Sequence, residues 1–380
     1  MKLELTRLLG GMTPEKFLAD YWQKKPLLVR GAAPGIEHLL TRDALLQLAT
    51  RDDMESRFVS QTGGWQLRHG PFSAHSLKRS AKPWTVLVQS VNLALEAGDA
   101  LQRNFDFIPY ARLDDLMVSY ATDGGGVGPH FDSYDVFLLQ GMGRRRWRIG
   151  KQKDQTLIEG LPVRILKDFR PTQDLLLEPG DLLYLPPEWA HDGTAEGECM
   201  TLSVGFRAPP AQELAEQFLM FLQDHICLQG RYADPDLKRQ KHPAEIGAAM
   251  IDQVTELLTG VRWNRQTIRD FLGASLSEPK SHVIFESPSQ PLSLAKFSMQ
   301  ARKRGIRLDA RTQLLFSGKH FYLNGEKWPA PPPAAPLFPL LRMLADRRCT
   351  PVLADFDAAT DAALSPLHEA YCDGFLHLQQ

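Results

Sequence analysis

The chain of 380 residues changes its pattern of apolar and polar positions twice. The opening segment is helical in pattern: Phe17, Tyr21 and Trp22 recur at helix spacing, Thr13 suits a cap and Pro14 the first helical position. Pro26 stops that helix. Leu27-Leu28-Val29 then predicts a short strand ending at Gly31, a second helix is predicted over Arg42 to Thr50, and strand-like pieces follow at Arg57–Ser60 and Trp65–His69. For the apolar stretch Trp84 to Leu95, periodicity alone does not decide between strand and helix.

Between about Leu113 and Ala208, short apolar runs alternate with glycine or proline turns. They predict strands at Leu116–Ala121, Tyr134–Leu139, Arg145–Ile149, Leu175–Leu177, Asp181–Leu185 and Met200–Phe206. Many short strands with turn chemistry between them indicate a barrel or sandwich, and no strand–helix–strand rhythm suggests a doubly wound sheet. From Pro210 the pattern is helical: Leu214, Phe218, Leu219, Phe221 and Leu222 line one stripe, and a second amphipathic stretch runs from Pro243 to Leu258. After a loop near Ser277–Ser281, Ser317-Gly318 and Asn324-Gly325 predict hairpin turns between Leu314–Phe316, Phe321–Leu323 and Trp328. A proline-rich bridge over 329–336 leads to helices at Leu337–Asp346 and Ala358–Tyr371 and a closing strand at Phe375–Leu378.

Composition narrows the function classes. Apolar residues at 43 % are ordinary for a globular chain with a sizeable core, which argues against extensive disorder. Lys plus Arg is 44 against 45 for Asp plus Glu, so the basic excess expected of a protein that grips a phosphate backbone is missing. Cys199, Cys227, Cys349 and Cys372 are scattered, with no C-x-x-C pair, and read as free thiols in a reducing compartment. Glu4 and Arg7 interrupt the first apolar residues, so no signal-peptide core forms, and prolines break the apolar run at 331–341. A soluble, cytoplasmic protein with no membrane partner is expected.

The chemistry concentrates around Gly124-Gly125-Gly126-Val127-Gly128-Pro129-His130-Phe131-Asp132. On a strand, His130 and Asp132 point to one face. They are two of the three ligands that a 2-His-1-carboxylate iron centre requires, although an isolated H-x-D reads first as a hydrogen-bonded pair. Downstream, Glu178-Pro179-Gly180-Asp181 turns into an apolar strand that Pro186-Pro187 ends. His191 is therefore expected in a loop at that strand's end, where a third ligand would sit. In Gly143-Arg144-Arg145-Arg146-Trp147-Arg148-Ile149, alternation puts Arg145 on the apolar face with Trp147 and Ile149. Arg144, Arg146 and Arg148 fall on the other face and read as solvated. A guanidinium on the apolar face needs a buried anion, either a carboxylate of a small ligand or an acid of the chain itself.

These segments, with Leu177–Pro187 followed by His191, Ser203-Val204-Gly205-Phe206-Arg207-Ala208-Pro209 and the opening Tyr21-Trp22-Gln23-Lys24-Lys25-Pro26, resemble the Jumonji C (cupin-like) 2-oxoglutarate oxygenases. More narrowly they resemble the bacterial ribosomal oxygenases that hydroxylate an arginine of large-subunit ribosomal protein uL16. The resemblance implies a mainly β fold with helices: a double-stranded β-helix (jelly-roll) core, then a helical dimerisation region and a winged-helix-like α+β domain. It divides the chain into an N-terminal α/β extension at 1–90, the catalytic domain at 91–209, the dimerisation region at 210–276 and the C-terminal domain at 277–380.

Further implications of the resemblance are an Fe(II) centre on His130, Asp132 and His191, 2-oxoglutarate held by Arg145, O2 as co-reactant and a homodimer. Where the family carries a serine that helps the cosubstrate carboxylate, this chain has Ala121; Ser119 shares that face and is the candidate in its place. An arginine substrate calls for carboxylates or aromatic faces. Asp123, Tyr134 and Asp135 flank the metal motif as candidates, though they read equally as a turn residue, a packing ring and a surface charge. Histidine hydroxylation or lysine demethylation is the rival activity on this scaffold. A non-catalytic cupin-like binding protein with a nucleic-acid-reading winged helix is the rival of another class. Against it stand three intact ligands and eleven Lys/Arg to nine Asp/Glu over 281–380, so no direct nucleic-acid contact is required.

Overall fold

The computed structural model describes residues 1–79, 82–335, 337–351 and 360–379. It opens with a short helix, α1 (Leu5–Leu8), and the expected capped one, α2 (Pro14–Asp20). The Thr13 hydroxyl accepts from the Lys16 amide at 3.3 Å, satisfying a donor that the first turn would orphan. Next come β1 (Leu27–Val29), α3 (Arg42–Leu48), β2 (Ser56–Ser60), β3 (Gln66–His69) and α4 (Ala74–Arg79). The undecided stretch is both kinds of element: β4 (Trp84–Val88), buried throughout, then α5 (Val91–Ala94), followed by α6 (Glu96–Gln102).

The strands β5 (Leu113–Ala121), β6 (Val136–Lys151), β7 (Gln173–Leu177), β8 (Leu182–Leu185) and β9 (Trp189–Phe206) complete the barrel wall. Among the described residues, β1 to β9 form one nine-stranded sheet in the order β1-β8-β6-β9-β5-β4-β2-β3, with β7 also on β6. Every pairing is antiparallel, and the pairs β1–β8, β6–β9 and β9–β5 join strands distant in sequence, as in a cupin-like jelly-roll. One face packs on the N-terminal helices: Phe17, Phe105, Phe137, Tyr184 and Phe206 are buried there, with Phe105 and Phe137 centroids 4.7 Å apart.

Two strand expectations need correction. Val136–Leu139 and Arg145–Ile149 are not separate strands but parts of β6, which leaves Tyr134 and Asp135 just before it, because Gly141 and Gly143 sit in register shifts rather than in a turn. Such irregularities reverse the alternation. Val136 and Leu138 before them share one apolar cluster with Trp147 and Ile149 after them. The second correction concerns His191, which lies inside β9 and not in a loop. The residues after it look loop-like because their inward positions hold His191, Gly193 and Ala195 instead of large apolar groups.

The helical part contains α7 (Ala211–His225), α8 (Ala248–Leu258) and α9 (Arg265–Ser277). Of the α7 stripe, Leu222 is buried whereas Leu219 is 64 % exposed. Beyond it lie α10 (Leu294–Arg304), β10 (Ile306–Leu308), β11 (Leu314–Ser317), β12 (His320–Leu323), β13 (Glu326–Trp328), α11 (Leu337–Arg347), α12 (Ser365–Cys372) and β14 (Leu376–Leu378). Asn324 and Gly325 both take positive φ, as the two-residue turn between β12 and β13 demands. The last predicted helix begins only at Asp361, as a 3-10 turn into α12; its first residue, Ala358, and Pro336 of the bridge lie outside the described residues. This region has its own core around Phe297, Phe321, Leu341 and Leu367.

Candidate metal centre

Two segments far apart in sequence meet through a single antiparallel bridge. The His130 amide donates to the His191 carbonyl at 2.9 Å, and the His191 amide to the His130 carbonyl at 2.8 Å. The bridge sets the two imidazoles side by side, with ring centroids 4.3 Å apart. Asp132 is no longer in a strand, but its carbonyl accepts from the Glu188 amide at 2.8 Å, which folds this segment onto the turn between β8 and β9. Its Oδ2 lies 3.6 Å from His191 Nε2, and one ligand atom from each of the three side chains lies within 4.8 Å of the others. Gly128 makes the approach possible. It takes φ +80°, and a Cβ there would stand 2.3 Å from Ile165 Cδ1.

The hydrogen bonds around the rings select the form that binds a metal. His130 Nδ1 is 2.9 Å from the Gly128 carbonyl and His191 Nδ1 is 2.8 Å from the Trp189 carbonyl. A carbonyl only accepts, so each Nδ1 carries the hydrogen and each Nε2 turns a lone pair to the shared space. Burial and the adjacent His130 hold His191 down to about 4, so it stays neutral. Two imidazoles and one carboxylate are the donor set of a facial-triad iron site, and these three fit Fe(II).

The β6–β9 register explains what else faces this space. Ile149 lies opposite His191, Trp147 opposite Gly193 and Arg145 opposite Ala195, and residues directly opposite share a face. Arg144, Arg146 and Arg148 occupy the other face, half exposed. There Arg146 bonds Glu196 at 2.7 Å and Asp174 at 2.8 Å, and Arg148 bonds Asp192. Arg145 is only 4 % exposed, and among the described residues no acid pairs with it. Nε donates to Cys199 Sγ at 3.3 Å and Nη1 to Ser119 Oγ at 3.4 Å, while Nη2 has no partner among the described residues. An unpaired donor on a buried cation costs several kcal/mol unless a ligand satisfies it, about 1–3 kcal/mol for a neutral group and more for a charged one. A small anion beside the guanidinium would answer that demand.

The candidate substrate contacts are placed differently from one another. Tyr134 is 41 % exposed and borders a cleft of about 1620 Å³ that continues past Arg207 between α7 and α9. Asp123 is exposed, and its Oδ1 accepts from the Gly197 amide at 2.8 Å, as a turn residue would. Asp135 is wholly buried and no surface charge. Its oxygens accept from the Tyr184 hydroxyl at 2.6 Å and Gln23 Nε2 at 2.9 Å, with Arg112 Nη2 at 3.4 Å, which leaves little room for an incoming cation. Cys199 was invisible in the sequence as a partner of Arg145; its proximity depends on the irregular pairing between β6 and β9, which no local pattern encodes.

Comparison with known proteins gives a consistent picture. A JmjC domain model matches residues 100–214 and a ROXA-like winged helix model matches 260–374. The chain is 36 % identical over 320 residues to the ribosomal protein uL16 3-hydroxylase of Escherichia coli (strain K12), covering 83 % of this chain and 85 % of that one. It is similar in structure to E. coli ycfD, with a TM-score of 0.85, 31 % identity and all of both chains covered. It is similar also to E. coli YcfD, a ribosomal oxygenase, in complex with cobalt and 2-oxoglutarate, with a TM-score of 0.81, 30 % identity, and 100 % of this chain and 99 % of that one covered.

Proposed function

This chain belongs to the ribosomal oxygenases, JmjC-domain enzymes with a ROXA-like winged helix, and on that premise we propose that it is an Fe(II)- and 2-oxoglutarate-dependent protein hydroxylase acting on the β-carbon of an arginine in ribosomal protein uL16. One observation carries the reading: three ligand atoms converge within 4.8 Å on the same inward face as a buried arginine with a free Nη2. His130 and His191 through Nε2, and Asp132 through its carboxylate, would hold the iron. Arg145, with Ser119 beside it, would hold the far carboxylate of 2-oxoglutarate. Bound iron supplies the oxidative decarboxylation of the cosubstrate to succinate and CO2, coupled to transfer of one oxygen atom of O2 into an aliphatic C–H bond.

The chain's own residues bind and orient. The Gly128 and Trp189 carbonyls keep both imidazoles in the ligating tautomer. The buried inward wall of Trp147, Ile149, Ala195 and Cys199 keeps water from the cosubstrate. Tyr134, at the mouth of the cleft, offers an aromatic face to the substrate guanidinium, and Asp123 and Asp135 serve as supports: one pins the β9 bend, the other ties the N-terminal segment to β8. Functionally the chain divides as 1–90, 91–209, 210–276 and 277–380. Purified protein with Fe(II), 2-oxoglutarate, O2 and isolated ribosomal proteins tests the reading by peptide mass spectrometry. One added oxygen on a uL16 arginine is expected. An added oxygen on histidine, or a methyl lost from lysine, would transfer the reading to the rival activity, and no mass change on any ribosomal protein would overturn it.

The helical region supports a homodimer. On α8, Met250, Ile251, Val254 and Leu258 form an exposed apolar stripe, and Leu219, Met220 and Trp263 are exposed nearby in sequence. Light scattering should give a dimer mass for the native chain and a monomer for Ile251→Glu with Leu258→Glu. No helix among the described residues is long and apolar enough to cross a membrane, and a ribosomal-protein substrate favours a cytoplasmic enzyme.

A further inference from the structure

The hydrogen bond from Arg145 Nε to Cys199 Sγ is unexpected on chemical grounds. Sulfur is a weak acceptor, and a buried guanidinium normally finds oxygen. Yet Cys199 is fully buried, and its apolar cluster consists of itself, Ala121 and Ala195. It pairs directly across from Ala121 on the neighbouring strand, a side chain with no hydrogen-bonding group to offer. Opposed residues in such a pair bring their Cβ atoms within about 4.5–5.5 Å. A hydrogen-bonding group absent from Ala121 is therefore present, as sulfur, on the strand beside it.

The local backbone is shaped to deliver that thiol. Between Met142, paired with Met200, and Arg144, paired with Glu196, β9 carries three residues against one on β6, so Cys199 has no partner on β6. Gly143 holds φ +61°, and a Cβ there would lie 2.0 Å from the Glu198 carbonyl oxygen. Only glycine permits this close approach, which keeps the bulge and leaves Cys199 beside Arg145.

We propose that Cys199 is a positioning residue of the cosubstrate pocket, supporting Arg145 from β9 beside the Ser119 hydroxyl on β5. Its Sγ anchors Arg145 Nε and leaves the unpartnered Nη2 for the far carboxylate of 2-oxoglutarate, while the S–H adds a donor to the same pocket. This rests on Arg145 being the carboxylate anchor.

The test is 2-oxoglutarate binding to the Co(II)-loaded protein without O2, followed by calorimetry, beside Co(II) affinity and the melting temperature. Cys199→Ala should weaken 2-oxoglutarate about ten-fold, the loss of one hydrogen bond to a charged group, with Co(II) affinity unchanged. Cys199→Ser, which keeps an acceptor, should stay within about three-fold of the native protein, and adding Ala121→Ser to Cys199→Ala should recover most of the loss. In turnover, Cys199→Ala should raise KM for 2-oxoglutarate and leave kcat at saturation unchanged. If Cys199→Ala binds 2-oxoglutarate like the native protein, or Ala121→Ser recovers nothing, the role of Cys199 is refuted. If Cys199→Ala does not fold, Cys199→Ser decides alone: retained affinity supports the role, and a ten-fold loss refutes it. Arg145→Met separates the two readings, since native affinity in that variant would sink the anchor itself rather than the thiol's part in it.

Discussion

The jelly-roll and the winged-helix region each bury an arginine, and they treat it in opposite ways. Arg348, just after α11, is 8 % exposed and adopts φ +61°. Its Nη1 donates to the Thr312 carbonyl at 2.9 Å, and Nη2 to the carbonyls of Asp309 at 2.7 Å and Ala310 at 3.1 Å. Its Nε lies 3.4 Å from Asp99 of α6, which ties the winged-helix region to the barrel's N-terminal helices. Burial, with Arg103 nearby, lowers its pKa to about 10, still charged at neutral pH. Arg145 has a thiol, a hydroxyl and nothing on Nη2. A buried cation that holds a structure together is supplied with acceptors by its own chain. One that binds a ligand keeps a donor vacant, and its surroundings stay under-satisfied until the ligand arrives.

Loss of a metal ligand should have the largest effect. His130→Ala should fold with near-native stability yet lose turnover by about 1000-fold or more with added Fe(II), because the iron carries the chemistry. Succinate release measures it, and full retained activity would reject the assignment. Second, Arg348→Met should destabilise the protein by about 3–5 kcal/mol, since it leaves three carbonyls and Asp99 without their cation. Urea unfolding measures that, and 2-oxoglutarate affinity should not move.

Arg145→Met should show the reverse pattern. It should weaken 2-oxoglutarate by about 2–3 kcal/mol, the value of a charge-assisted pair. Without cosubstrate, the variant should be as stable as the native chain or more so, because it removes a buried charge the fold does not satisfy. Equal destabilisation by Arg145→Met and Arg348→Met would erase the distinction between them. The smallest effect is expected at the outward arginines. Arg146→Ala breaks two exposed ion pairs and should cost less than about 1 kcal/mol, with less cost still at high salt.

Much of this was legible in the sequence. The apolar spacing of α2, the Thr13 cap, the Asn324-Gly325 turn and the strand alternation at Arg145, Trp147 and Ile149 are local features, set by residues a few positions apart. The H-x-D pair and the later histidine could be named as candidate ligands, but only the resemblance to the Jumonji C oxygenases joined them into one set. Local pattern failed where an element is defined by its partners. The first half of β9 carries polar and small residues, so nothing marks it as a strand until β6 lies beside it. Asp135 looked like a surface charge because its acceptors' donors, Gln23 and Tyr184, come from distant segments.

The sequence by itself therefore determined which groups were available: two imidazoles, a carboxylate, and an arginine forced to the apolar side by a period-two pattern. Tertiary structure alone decided what each of them meets. That His191 bridges His130, that Cys199 reaches Arg145 from the bulged strand beside it, and that Nη2 remains unpaired among the described residues all follow from register between strands. Register is settled by burying a whole face at once and by the glycines that let strands bulge, not by any run of neighbouring residues.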